Sequence, residues 1–521
     1  MYYINNDMAD GLSFRYGVEW VSGMTEILDE AYNRRASSVS RRKLLKTGAA
    51  VLGVAACSPF LTPGQARAAG LDTLADDAAR RAKELAGGRP LKLRILEPSG
   101  SLGNIKPVAD RWTAETGIAI EYVEVPLGEI GQKILLEAVS RSGAFDIALP
   151  ATFNIPDIAE SGIIARLDDY AAKYEPEGFR AGELYSAGDY YKGNFYGYQT
   201  DGDTYLTFYR KDWIDNPTEE KAYADKFGTA LKVPDTWEEF DRHLAFFHRP
   251  DQGKYGGALF RSQYFIAWEW WVRFHAKGYF PFTDDLTPQI NNEAGVKALE
   301  ELVAASKHLY PGARTNGLFE NFEAYGNGQI YANIGWGGTQ KFLNGKKSGV
   351  SGKLAYGPTP GGQVNGKLVK TPYFNWGWNY VVSALAKEPE IAYLFTLYAA
   401  SPQRSVEAVR DPDGYFDPFR TEHYKDPKIV ELYNPDFLAV HEASLRNSVP
   451  DLYLKGQGEY FDSLRVNIQS ADVGTKTAKQ ALDETARDWE RISRRVGKKG
   501  QTVQWLFLKS LYPADIRGHL A

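Results

Sequence analysis

Residues 197–213 read GYQTDGDTYLTFYRKDW. From Thr204 onward the side chains alternate, with Tyr205, Thr207 and Tyr209 on one side and Leu206 and Phe208 on the other, which is the period-two pattern of a strand. Immediately before it, Asp201 and Asp203 flank Gly202, whose freedom of backbone would permit a bend. Two carboxylates so spaced suit a catalytic pair, half of a metal site or the polar grip of a binding cleft, and the rest of the chain must choose among these.

Outward from this stretch, strands and helices alternate. Upstream, Leu91 to Pro98 (LKLRILEP) reads as a strand, and Ile105, Val108, Ala109 and Trp112 follow at helical spacing until Gly117 stops the helix. A second helix carries Ile130, Ile134, Leu135 and Ala138, then FDIALPA (145–151) supplies another strand and a short helix is expected near Ile155 to Glu160. Strand–helix–strand succession predicts an α/β fold with a mainly parallel sheet whose faces are covered. Downstream, DTWEEFDRHLAFF (235–247) is a helix capped by Asp235 or Thr236, and YGGALF (255–260) is a strand entering an aromatic helix. From Val473 to Val496, Ala478, Leu482, Thr485, Trp489, Ile492 and Val496 recur at three- and four-residue steps, an amphipathic closing helix.

At 521 residues the chain exceeds the size of one growing core, so two lobes are expected. A formal charge of −5, with no long basic stripe beyond the N-terminal region, argues against a nucleic-acid partner. Aromatic residues make 13% of the chain, enough for ring-stacking walls as well as for cores. Met1, Met8, Met24 and Cys57 hold all the sulfur, so the chain from Ala69 onward excludes disulfides, thiolate nucleophiles and Cys-ligated metals.

The N-terminal region carries an export signal. Arg41 and Arg42 open SRRKLLK (40–46), which resembles a bacterial twin-arginine (Tat) signal, and an apolar stretch from Thr47 to Leu61 follows, too short to span a membrane. Ala66-Arg67-Ala68 fits an A-x-A site with cleavage after Ala68, the reading adopted. The competing stretch Val54-Ala55-Ala56-Cys57 resembles a lipobox that would leave a lipid on Cys57. The expected location is the periplasm.

Catalytic motifs are sparse. G-x-S-x-G is absent, and the seven His show no H-E-x-x-H spacing. Asp201 and Asp203 lack a third nearby acid of EF-hand type. A glycosidase would need carboxylates about 5 to 9.5 Å apart across a sugar bond.

Five stretches together, FDIALPATFNIPDIAESGIIARLDDY (145–170), FYGYQTDGDTYLTFYRKDW (195–213), VPDTWEEF (233–240), NGQIYANIGWGG (327–338) and FNWGWNYVVSALAKEPEIAYLF (374–395), resemble the extracellular solute-binding proteins, family 1, of bacterial ABC importers, which include maltose- and multiple-sugar-binding proteins. The resemblance spans about residues 89 to 495 and implies a periplasmic binding protein fold of type II, two α/β lobes around a ligand cleft, with hinge crossings and closure that signals to a permease. The crossings then fall at Asp201 to Tyr205, near Trp376 to Tyr380 and near Tyr415 to Phe419. Residues 1–68 are leader and signal, 89–202 plus 379–417 the first lobe, and 203–378 plus 418–511 the second.

The same resemblance implies a set of contacts. Ser99 and Ser101 lie in the loop after the first strand, and Phe153 and Asn154 follow the third, at the carboxyl end where open sheets bind ligands; Asn154 is equally suited to cap a helix. Asp201, Asp203, Asn154 and the serines would meet hydroxyls, with Asp203 favoured because it abuts the strand entering the second lobe. Trp336 would cover an apolar ring face between close-approaching glycines. Trp376 and Trp378 bracket Gly377 and would point the same way if that segment is extended. Tyr264 and Trp268, at i and i+4, and Phe461, beside Tyr460, complete the expected wall, while Trp270 or Trp271 reads as core. The function implied is an exported substrate-binding protein capturing a carbohydrate or polyol. It would act as a monomer with ABC permease subunits, without cofactor, metal or covalent chemistry, and would touch the membrane otherwise only through a lipid on Cys57. The alternatives are a secreted glycoside-active enzyme and a binding protein for a non-sugar solute such as a polyamine, phosphate ester or iron.

Overall fold

The computed structural model describes residues 70–374 and 376–521; the expected signal features at Arg41, Arg42, Cys57 and Ala68 lie outside them. In chain order α1 (Leu74–Ala86), β1 (Lys92–Pro98), α2 (Leu102–Thr116), β2 (Ala119–Val125), α3 (Ile130–Ser140), β3 (Ile147–Ala148), α4 (Ile155–Glu160) and β4 (Gly197–Gln199) come first. Next are β5 (Thr204–Arg210), α5 (Trp237–Phe247), β6 (Tyr255–Ala258), α6 (Ile266–His275), α7 (Glu293–Ala305), α8 (Leu318–Gly326), β7 (Ile330–Gly335), β8 (Leu354–Pro358) and β9 (Tyr373–Phe374). The chain then makes β10 (Asn379–Val382), α9 (Pro389–Ala400) and α10 (Pro402–Arg410), followed by α11 (Pro435–Arg446), α12 (Gln457–Asp472), α13 (Ala478–Val496) and α14 (Lys498–Ser510).

Two sheets organise these elements. The first runs β2-β1-β3-β10-β4 and the second β8-β5-β7-β6, with β9 also paired to β5. The expected mainly parallel sheet is corrected: β2, β1 and β3 are parallel, in register from Lys92↔Ala119 to Pro98↔Val125, but β10 runs antiparallel to β3 and β4. In the second sheet β5 is antiparallel to β7, β8 and β9, and only β6 and β7 pair in parallel. The reason is topological. Chain arriving from the other sheet enters β5 and β10 without the crossover helix that parallel pairing needs.

Helices cover the sheets as their apolar stripes dictate. α2 buries Ile105, Val108, Ala109 and Trp112 and ends at Gly117 with φ 77°. Trp112 packs edge-on against Phe395 and Tyr398 of α9, with ring centres 5.3 and 5.2 Å away. α9 is buried from Ile391 to Ala400 and also packs on α1, which extends this layer upstream of residue 89. Thr236, not Asp235, caps α5, in a capping box with Glu239. The expected amphipathic helix is α13, which starts later than Val473, behind Thr477, whose side chain accepts from Gln480 N, and it does not close the chain, since α14 follows. On α6 every residue from Ile266 to His275 is buried. Its charged members survive there because Arg261 and Arg273 both bind Glu269 (2.6 and 2.9 Å) and Arg273 also binds Asp241 (2.6 Å).

Candidate functional site

The chain passes from the first sheet to the second through residues 200–203, between β4 and β5, and returns between β9 and β10, where 376–378 are described. A third segment, 411–419, lies against the first: Asp417 N donates to Asp201 Oδ1 at 2.6 Å. Gly202 is required here for closeness. It is not among the residues with positive φ, and Thr204 N donates back to its carbonyl at 2.6 Å; a Cβ at Gly202 would lie 2.1 Å from the Pro418 carbonyl oxygen. A Cβ at Gly338 would likewise lie 2.3 Å from the Tyr415 carbonyl oxygen. Glycine lets the backbones touch.

This packing gathers carboxylates. Asp201, Asp203 and Asp417 each offer an oxygen, and the three oxygens lie within 4.8 Å of one another. Asp203 accepts from Gly377 N (3.1 Å), and Asp417 from the Tyr433 hydroxyl (3.3 Å), with His441 Nε2 3.8 Å away. Burial, then the neighbouring Asp203 and Asp417, push the Asp201 carboxyl well above the usual range; burial and Asp417 do the same to Asp203. Lys341 is the nearby cation. Its Nζ donates to the carbonyls of Asp411 (2.8 Å) and Val409 (3.4 Å), and burial lowers it to about 8 against the pull of Asp417 and Asp201. The trio could hold a hard cation by ligand type, though a lysine ammonium already shares its field.

Rings form the opposite wall. Trp376 is the hub, with ring centres at 5.1 Å from Trp268, 5.5 Å from Phe153, 5.6 Å from Tyr264 and 5.9 Å from both Trp336 and Trp378. Its backbone is left-handed, φ 84°, an outlier for so bulky a residue, and Gly377 follows at 59°. The segment is therefore not extended, the condition on which the same pointing of Trp376 and Trp378 rested; both line one cavity with their planes at 50°.

Between acids and rings lies a cavity of about 50 Å³, room for about three to five waters. Ser101, Asp201, Asp203, Trp336, Trp376 and Trp378 line it. The other expected contacts do not. Ser99 is exposed, and its N–H donates to Val125 O, continuing the β1–β2 pairing. Phe153 stands behind the cavity against Trp376. Asn154 neither caps α4 nor reaches the cavity; its carboxamide packs on Gly131. Tyr264 lies under the Arg465 guanidinium, 4.3 Å from the ring centre. Trp268 and Phe461 are fully buried and pack on one another as core.

Sequence reasoning missed Asn104, Thr339, Phe319, Phe322 and Tyr415, all of which line the cavity. Asn104 Oδ1 accepts from Phe416 N (3.1 Å) and from Tyr415 N, tying α2 to the third segment. Its signal was present: residues 104, 108 and 112 share one buried helix face, and only the first is polar. Phe319 had no such signal, since α8 reads as an ordinary amphipathic helix.

Solved structures share this architecture. A solute-binding protein of an ABC transporter from Agrobacterium radiobacter K84, in complex with ribitol, superposes with TM-score 0.68 at 19% identity, covering 78% of this chain and 100% of that one. Maltose-bound MalE3 of T. maritima gives 0.65 at 16%, covering 77% and 100%. A curated relative, the probable amino-acid ABC transporter periplasmic-binding protein y4oP of Sinorhizobium fredii (strain NBRC 101917 / NGR234), is 25% identical over 476 residues, 88% of this chain and 99% of that protein. The family model described as bacterial extracellular solute-binding protein matches residues 108–433. With two α/β sheets joined by paired crossings and a cavity at their junction, the chain belongs to the bacterial extracellular solute-binding proteins.

Proposed function

We propose that this protein is the exported solute-binding component of an ABC importer, and that it captures a carbohydrate or polyol between two lobes for delivery to a membrane permease. The observation that carries the reading is the cavity itself, where Asp201, Asp203, Ser101, Asn104 and Thr339 face Trp336, Trp376 and Trp378. Hydroxyl-bonding groups beside flat apolar faces suit a polyhydroxylated solute. The ribitol- and maltose-bound relatives support the same ligand class. The lobes would be divided at the crossings, close to residues 202, 378 and 417. Export would use the twin-arginine signal at Arg41 and Arg42 with cleavage after Ala68, releasing a soluble periplasmic monomer.

Binding without chemistry is the better reading of the acids. Their oxygens cluster within 4.8 Å of one another, whereas a glycosidase pair stands across a bond, at about 5 to 9.5 Å. The name of the Sinorhizobium relative raises an amino acid as ligand. That solute would bring a carboxylate, and no Arg, Lys or His is among the described residues lining the cavity to receive it.

Tryptophan fluorescence titrated with ribitol, mannitol, glucose and maltose tests the proposal. At least one should shift the emission saturably, with the solute recovered intact afterwards. Silence across the panel, or turnover of a solute, would overturn it.

A further inference from the structure

The cavity gathers acids without a basic residue among its described lining. Asp201 and Asp203 line it and Asp417 stands behind them, while nearby Lys341 already gives its ammonium to the carbonyls of Asp411 and Val409. Burial and mutual repulsion favour the protonated form of these carboxyls, and an incoming ammonium, unlike a neutral solute, would let them ionise against a partner. Two further groups at the cavity are unsatisfied. Trp376 and Thr339, 4% and 1% exposed, have no hydrogen-bond partner for Nε1 and Oγ1 among the described residues.

These observations ask for two kinds of ligand group at once. An indole N–H and a hydroxyl call for oxygen partners, and bunched carboxylates call for a cation. Trp336, Trp376 and Trp378 would add the attraction of ring faces for positive charge. We propose that the ligand is a polyhydroxylated amine, an amino sugar or amino polyol, whose ammonium meets Asp201 and Asp203 and whose hydroxyls meet Trp376 Nε1 and Thr339 Oγ1. This rests on the carbohydrate or polyol reading above and narrows it. A bare metal ion would answer the carboxylates but leave Trp376 and Thr339 unmet.

Calorimetric titration of matched pairs at neutral pH tests the inference: glucosamine against glucose, and glucamine against sorbitol. The amine should bind about tenfold or more tightly than its neutral partner in at least one pair, and added NaCl should weaken the amine selectively. Asp203→Asn should bring the amine-to-neutral ratio toward one. If neutral members bind as tightly as the amines, the inference fails while the carbohydrate or polyol reading stands. If no member of either pair binds, and the fluorescence panel is also silent, both fail. A melting temperature raised by CaCl2 and restored by EDTA, without amine preference, would replace the inference with a metal site. An unchanged ratio in Asp203→Asn would also overturn it; should that variant not fold, the wild-type pairs decide alone.

Discussion

Glu97, at the carboxyl end of β1, is fully buried, and neither carboxyl oxygen has a hydrogen-bond partner among the described residues. Burial, with Glu124 opposite it on β2, pushes it up from 4.5 to about 8. A carboxyl raised on folding adds stability that is full below about pH 4.5 and is lost as pH rises through 8. Glu97→Gln should therefore unfold at higher urea concentration than wild type at pH 8, by up to a few kcal/mol, with the gap closing toward pH 5. Equal gaps at both pH values would show that charge is not the cause. At this scale the sequence was partly legible. The Asp201–Asp203 pair and the tryptophans of IGWGG and NWGW were visible as motifs and line the cavity. Trp268 could not be separated from a platform, because i, i+4 aromatic spacing is the same in a core as in a binding wall; Phe461, expected from the resemblance alone, is core as well.

Element existence was legible because each long helix carries its own stripe and stop, as Gly117 does for α2. Strand direction was not. Whether β5 and β10 run parallel or antiparallel depends on which sheet the chain has just left, and that is a property of contacts far apart in sequence. Gly202 shows the same limit: its freedom to bend is readable locally, but its neighbour Pro418 lies far along the chain. The buried ion network of α6 yields a test at this scale. Burial acts against ionised Glu269, but Arg261 and Arg273 outweigh it and hold the carboxyl below its usual range. Glu269→Gln leaves Arg273 with Asp241 but strips Arg261 of its close carboxylate, with Asp472 Oδ1 3.9 Å away, and should cost about 3 to 5 kcal/mol in denaturant unfolding. A loss under about 1 kcal/mol would mean that water or backbone takes over the role.

For the whole molecule, the joining of two sheets matters more than either sheet. The two passages between β4 and β5 and between β9 and β10, braced by the segment 411–419, bring Asp201, Trp376 and Asp417 together from positions widely separated in sequence. Their convergence was legible only through the family resemblance, since no local pattern encodes it.

Phe319 and Tyr415 line the same cavity with ring centres 4.9 Å apart, and Phe319 is 38% exposed, so the pair forms its outer rim. A rim made of side chains sets a clock. The rate at which a solute escapes is then governed by how often two rings part, and the equilibrium constant by the acids and indoles within. Phe319→Ala should accelerate association and dissociation together in stopped-flow fluorescence, by about the same factor. A change confined to the dissociation rate would instead make Phe319 part of the grip.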